Sequence, residues 1–245
     1  MIRGWSAVYL REMMIIRKRL LRMIGSWTVS PLLSLIAFGY AMGKDLDVEG
    51  YRYIEFLVPG LAAMAGMVQS FAISGEINIA RFYWHVFEEF QSSPLSNTAY
   101  VLGEVLAGMT RALLAVLVIL ALGTFFGVFL SYNLFFWLAF FLNSLVFSSL
   151  GVGAAMLIKS HADQAMLNSF LITPMAFLGG TFFPLENLPK LVQKALYLLP
   201  LTHASNAMRS AAFGIQPLAE DLLILGGLGV CFFVFAVMSV NQARD

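Results

Sequence analysis

Apolar residues in this chain fall in long uninterrupted runs, and charged residues mark where each run stops. Six such runs are evident, at residues 23–42, 56–79, 101–128, 134–158, 165–183 and 222–240. Each holds at least about 19 residues, enough for roughly 28 Å of helix and therefore for one bilayer crossing. A membrane β-barrel would instead show alternating segments of about ten residues, which this pattern lacks. The pattern predicts an all-α integral membrane domain with six spanning helices, occupying residues 1–245. A different periodicity precedes the first run. Trp5, Tyr9, Met13, Ile16 and Leu20 share one stripe at helical spacing, with Arg11, Lys18 and Arg22 opposite. That spacing predicts an amphipathic helix over residues 1–22, lying in the membrane interface.

Charge then orients the spans. Six of the fifteen basic residues, Arg3, Arg11, Arg17, Lys18, Arg19 and Arg22, precede the first run. The positive-inside rule therefore puts the N-terminus in the cytoplasm, and six crossings return Arg244 and Asp245 to the same side. Residues 43–55 carry Lys44 and Arg52 against Asp45, Asp47, Glu49 and Glu55, as expected of an external loop. The apolar run after Arg22 is long enough to span rather than to be cleaved as a leader.

Composition removes several classes of function. The chain is 60% hydrophobic and 12% charged, with a mean hydropathy of +0.81. Soluble domains average about 45–50% and about 25% respectively, so neither a soluble globule nor a disordered chain fits. A net charge of +1 supplies no basic field for nucleic acid. The single cysteine, Cys231, excludes an internal disulfide framework and a cysteine-based zinc site. No GxxxxGK[ST], GxSxG or HExxH sequence occurs, so the chain carries no catalytic motif and no means of hydrolysing ATP by itself. His85, His161 and His203 fall in three separate segments, and no metal site is expected. Asn143, Ser148 and Ser149 in the fourth run suit interhelical hydrogen bonds.

Two loops and two charges stand out. In the first loop, Arg81, Trp84, Phe87, Glu88 and Glu89 precede a Ser92-Ser93-Pro94 turn. Trp84, Phe87 and Glu88 share a helical face, so an aromatic patch is rimmed with acid, the make-up of a protein-docking surface. An interfacial helix resting on lipid is the alternative. In the second, residues 188–199 form an apolar stretch broken by Pro189 and closed by Pro200. It is too short to cross and too apolar for an ordinary loop, which predicts a re-entrant or interfacial hairpin on the outer side. Charges at membrane depth are costly and mark functional candidates. Glu104 and Arg111 lie about two helical turns apart, too far to pair, and are expected to face partner helices. Pro31, Pro59 and Pro174 are expected to bend their helices.

Several runs resemble the membrane subunit of ABC-2 type exporters, along essentially the whole chain. They are Phe56-Leu57-Val58-Pro59-Gly60, Phe87-Glu88-Glu89-Phe90 with Ser93-Pro94-Leu95-Ser96, and Pro174-Met175-Ala176-Phe177-Leu178-Gly179-Gly180-Thr181-Phe182-Phe183-Pro184-Leu185. Leu188-Pro189, Pro200-Leu201-Thr202-His203 and Arg209 follow. The resemblance implies a multi-pass inner-membrane permease that pairs with a second permease, identical or homologous, and with two separate ATPase subunits. Those subunits would bind ATP and Mg2+, while this chain binds no cofactor. Residues 81–91 would form the coupling helix seated in the ATPase, through Arg81, Trp84, Phe87, Glu88 and Glu89. The N-terminal helix, with Trp5, Tyr9, Arg11 and Lys18, would touch it as well. Residues 185–199 would form an external gate, together with Gly179, Gly180, Phe183, Pro184, Leu188 and Pro189. Sparse charge in the spans points to an amphipathic, lipid-linked or polysaccharide cargo. Two rivals remain at this point: an ATP-independent channel or secondary transporter, and a lipid-modifying enzyme using His161, Asp163 and His203.

Overall fold

A computed structural model describes residues 4–43, 46–48, 50–84, 95–158 and 160–243. Helix α1 (Trp5–Ser34) continues without a break into wider π-helical turns, Leu35–Met42. The widening follows Pro31, which has no N–H to offer the carbonyl one turn earlier. A short hairpin, β1 (Asp47–Val48) and β2 (Tyr51–Arg52), pairs Asp47 with Arg52. It turns at Gly50, where φ is +82°, a conformation that favours glycine. Glu55 then caps α2 (Tyr53–Phe71), accepting from the Arg52 backbone N–H at 3.0 Å and from its guanidinium at 2.7 Å. After a break at Ala72 the chain continues as α3 (Ile73–Phe82).

Helix α4 (Asn97–Phe125) starts where Ser96 Oγ accepts the Ala99 N–H, and α5 (Leu134–Leu157) where Asn133 accepts that of Phe136. These side chains satisfy amide donors that the helices themselves cannot. Three short helical pieces follow: α6 (His161–Leu167), π turns at Asn168–Ile172, and α7 (Thr173–Leu178). A 3₁₀ turn at Leu185–Asn187 leads to α8 (Lys190–Leu196), α9 (Pro200–Ala212) and α10 (Ala219–Gln242).

Helix α2 is the centre of the bundle. Of its most apolar window 72% is buried, against 17% for α1 and 28% for α10, whose remaining apolar faces are left for lipid. It packs on α4, α5 and α9, while α10 lies along α5. Glycines set the closest approaches. A Cβ on Gly66 would stand 3.0 Å from Asn143 Nδ2, and one on Gly151 would stand 3.0 Å from the Phe71 carbonyl. Small residues let backbones meet where lipid offers no competing hydrophobic drive.

Five helical stretches among the described residues are long and apolar enough to cross a membrane: Trp5–Met42, Tyr53–Phe82, Asn97–Phe125, Leu134–Leu157 and Ala219–Gln242. The sequence pattern predicts six. The expected fifth span, residues 165–183, is helical only to Leu178 and is broken by π turns just before Pro174. It is nevertheless tied to the α2–α3 segment at two points, since Gln164 bonds Ser74 and Tyr53 bonds the Phe182 carbonyl.

Two further expectations change. Residues 5–22 do not form a helix separate from the first span, because α1 runs through Arg22 without interruption. Its buried line is Val8, Glu12 and Ile16, one step round from the predicted stripe. Arg11 is drawn to that line by Glu12, at 2.7 Å. In the segment after Pro184 the deeply buried part is α9, not residues 188–199, where Leu191 and Leu198 are each 82% exposed. Hydropathy does not flag α9, because Thr202, His203, Ser205 and Arg209 offset its alanines.

Candidate functional site

A cavity of about 490 Å³ lies between α1, α2 and the broken helix at residues 161–178. Its walls are mixed. Trp27, Met64, Val68 and Ile172 give apolar surface, and Ser26, Ser30, Ser34, Gln69, Asn168 and Thr173 add polar atoms. Ligand sites of 300–1,000 Å³ with a few placed polar groups are typical of small-molecule pockets.

Rings close one end. Phe182 packs against Phe38 at 5.2 Å and stacks on Phe177 at 5.5 Å between centroids. Its carbonyl accepts from the Tyr53 hydroxyl at 2.7 Å. Sequence reasoning selects Phe183 for this gate, but the ring in the cavity wall is Phe182. Consecutive aromatics in a turn have no periodicity that would rank them.

The turn that holds Phe182 is built on the predicted glycines. Gly180 has φ +76°, and a Cβ on Gly179 would collide with Leu201. Arg209 of α9 reaches in to donate to the Gly180 carbonyl at 2.7 Å and to that of Phe56 at 3.3 Å. Its guanidinium also lies 3.7 Å over the Phe56 ring, a cation–π arrangement. Of the other predicted gate residues, Phe183, Pro184 and Leu188 are half-buried and Pro189 is exposed. Gln193 of α8 donates to the Leu188 carbonyl at 2.8 Å.

Beside this turn a second cavity of about 440 Å³ includes His203, Arg209, Glu186 and Asp221. His203 bonds Asp221 through Nδ1 at 2.6 Å and the Tyr197 carbonyl through Nε2 at 2.8 Å. Two acceptors facing two ring nitrogens call for two protons, so the imidazolium is the fitting form. The bond to Asp221 accordingly raises the His203 pKa above its ordinary value, against the effect of burial. A raised histidine pKa contributes stability that is fully present below the unfolded value of about 6.5 and fades as pH rises through the folded one. Thermal unfolding should therefore show stability falling from neutral towards alkaline pH. His203→Gln should flatten that slope.

A charged cluster borders the cavity at Gln69. Arg111 donates to Glu76 at 3.3 Å and to Gln69 at 3.3 Å, and Arg19 stands 3.8 Å from Glu76. Arg111 thus faces α2 and α3, as its position predicts. Glu104 is 1% exposed, takes a hydrogen bond from Tyr100 and lies near Arg11 and Glu12 of α1. The two charges do not meet. Tyr9 bonds Thr110 at 3.0 Å, Trp5 stands over Gly103, and Lys18 is exposed.

Of the expected coupling residues, Arg81 donates to the Met156 carbonyl at 2.6 Å, fastening α3 to the end of α5. Trp84 is exposed. Phe87, Glu88 and Glu89 lie outside the described residues, as does His85. Asp163 is engaged with Ser160 in capping α6. Among the described residues no three His, Cys, Asp or Glu side chains group to hold a metal ion.

Comparison with known proteins places this geometry. The family model for "ABC-2 type transporter" matches residues 5–213. An Escherichia coli K12 protein named inner membrane transport permease YadH is 27% identical over 221 residues, covering 88% of this chain and 86% of the relative. Nodulation protein J of Neorhizobium galegae is 29% identical over 250 residues, covering 98% and 92%. The same protein from Rhizobium leguminosarum bv. viciae is 29% identical over 256 residues, covering 98% and 93%.

Proposed function

This chain belongs to the ABC-2 type transporter family, and on that premise we propose that it is the permease subunit of an inner-membrane ABC exporter. It works as a dimer, with itself or a homologous permease, and is driven by two separate ATPase subunits that hold the nucleotide and its Mg2+. The observation that carries the reading is the cavity of about 490 Å³, lined by rings at one end and bordered through Gln69 by a charged cluster, in a chain of this family. Residues 161–178 make the sixth crossing, and both termini are cytoplasmic, in keeping with the basic N-terminal segment. A cavity of mixed polarity suits an amphipathic or lipid-linked cargo.

The mechanism is mechanical. The ATPase pushes on residues 81–91 and so moves α3, which Arg81 locks to α5. The break at Ala72 lets α3 pivot beneath α2. At its other end α2 touches the gate turn, since Gly60 lies against the Thr181 carbonyl. A displacement at one end thereby changes the fit of Phe182 at the other, a shear movement between two packings. Co-purification in mild detergent tests the reading, and an ATPase subunit is expected to accompany the chain. The variant Phe87→Ala/Glu88→Ala should insert normally, hydrolyse ATP with its partner and lose export. Docking anchors are each worth on the order of 2 kcal/mol, so export should fall tenfold or more. Unchanged export would remove the coupling assignment.

A further inference from the structure

The charged cluster beside the cavity holds more cation than carboxylate. Arg19, Arg22 and Arg111 all line a recess of about 280 Å³, with Glu76 as its carboxylate. Glu76 already holds Arg111 at 3.3 Å and Arg19 at 3.8 Å. Arg22, one helical turn beyond Arg19 on the same side of α1, has no ion pair among the described residues. The nearby Glu12 is held by Arg11 at 2.7 Å and does not neutralise the surplus. Three guanidiniums therefore share one carboxylate.

This recess adjoins the cavity. Ser26 lines both. Gln69, in the cavity wall, accepts from Trp27 at 2.7 Å and from Arg111 at 3.3 Å through the same oxygen. A cationic recess thus lies beside a half-apolar chamber, which continues along α1 from Ser26 to Phe38, about 18 Å at 1.5 Å per residue.

Surplus cation at the edge of hydrocarbon is costly unless an anion meets it. Guanidiniums bind phosphate through paired, planar hydrogen bonds, and basic pockets between spanning helices suit phosphate headgroups. We propose that the Arg19–Arg22–Arg111 recess seats the phosphate of an amphiphile, whose apolar part lies in the adjoining chamber against Trp27. The leaflet it comes from, and its export, rest on the permease reading. The binding does not, because both parts of the site lie within this chain.

The test uses the full chain in detergent, without any ATPase, so that failure here leaves the permease reading standing and failure there leaves this site standing. Tryptophan fluorescence is titrated with phosphatidic acid carrying brominated chains, and separately with brominated phosphatidylcholine. Phosphatidic acid should quench at lower concentration, and Trp27→Phe should remove most of the quenching. Each arginine near the membrane surface contributes about fivefold in affinity for an anionic headgroup. Arg22→Gln should therefore weaken phosphatidic acid about fivefold, and Arg19→Gln/Arg22→Gln about twentyfold, with phosphatidylcholine unchanged. Inorganic phosphate should not displace the lipid at matching concentration. Equal affinity for the two lipids, or arginine variants that bind as the parent does, would overturn the headgroup site. Quenching that persists in Trp27→Phe would overturn the placement of the chains. Displacement by inorganic phosphate would overturn the amphiphile in favour of the free anion.

Discussion

Arg209→Met is expected to destabilise the protein by about 3 kcal/mol and to loosen the closed end of the cavity. Met keeps the volume and loses the guanidinium. The Gly180 and Phe56 carbonyls, held at 2.7 Å and 3.3 Å, would each be left without this donor in a site where Arg209 is only 7% exposed. A buried acceptor without its partner costs about 1–3 kcal/mol, and the stacking on Phe56 is lost as well. Denaturant titration in detergent reads the stability. Proteolysis near Gly180 reads the loosening, and it should increase even where the bundle stays folded. Arg209→Lys should recover only part of the loss, because a point charge neither stacks flat on Phe56 nor reaches two carbonyls in a fixed fork.

Gly108→Val should cost about 3 kcal/mol, seen as lost folded yield and a lowered unfolding midpoint in the same titration. Gly108 sits where α4 meets both α2 and α5. An added Cβ would collide with Ser148 Oγ and stand 3.0 Å from the Ser70 carbonyl. Ser148 cannot simply turn away, because its hydroxyl donates to the Val105 carbonyl at 2.9 Å. The Ser70 carbonyl is backbone and gives still less. Ser148→Ala added to Gly108→Val should therefore restore only a minor part. Gly75→Ala is the matched control. A Cβ there meets nothing within 4 Å, and alanine in a helix is favoured over glycine by about 0.8–1.0 kcal/mol.

Much of the candidate site is legible in particular residues. Gly179 and Gly180 announce the turn that holds Phe182, because glycine pairs before an aromatic-proline run rarely continue a helix. Arg111 and Glu104 stand out as charges in apolar runs, and Arg111 faces a partner helix as expected. Their partners are not legible. Arg111 finds Glu76, 35 positions away in sequence, and Arg209 reaches Gly180 across 29. The choice of Phe182 over Phe183 also needs the backbone path of the turn, which no periodicity encodes.

The misread elements share a cause. Helix α9 is buried by small size rather than by hydropathy, with Ala204, Ala207 and Ala211 all 0% exposed. The helix at residues 161–178 is in pieces, because Pro174 removes one amide donor and the preceding turns widen to absorb it. The N-terminal stripe is displaced by one step because Glu12 is buried beside Arg11, so an ion pair overrides the apolar pattern.

What the amino-acid order determined alone was the solvent each segment requires: long apolar runs for lipid, basic residues ahead of the first run, and turn residues between them. What only the tertiary structure decided was how those helices meet, which ring lines the cavity and which partners Arg111 and Arg209 find. The reason is physical. Hydrocarbon is as apolar as the helices themselves, so lateral packing follows from small-residue contacts and a few polar pairs between distant positions. Neither leaves a period in the sequence.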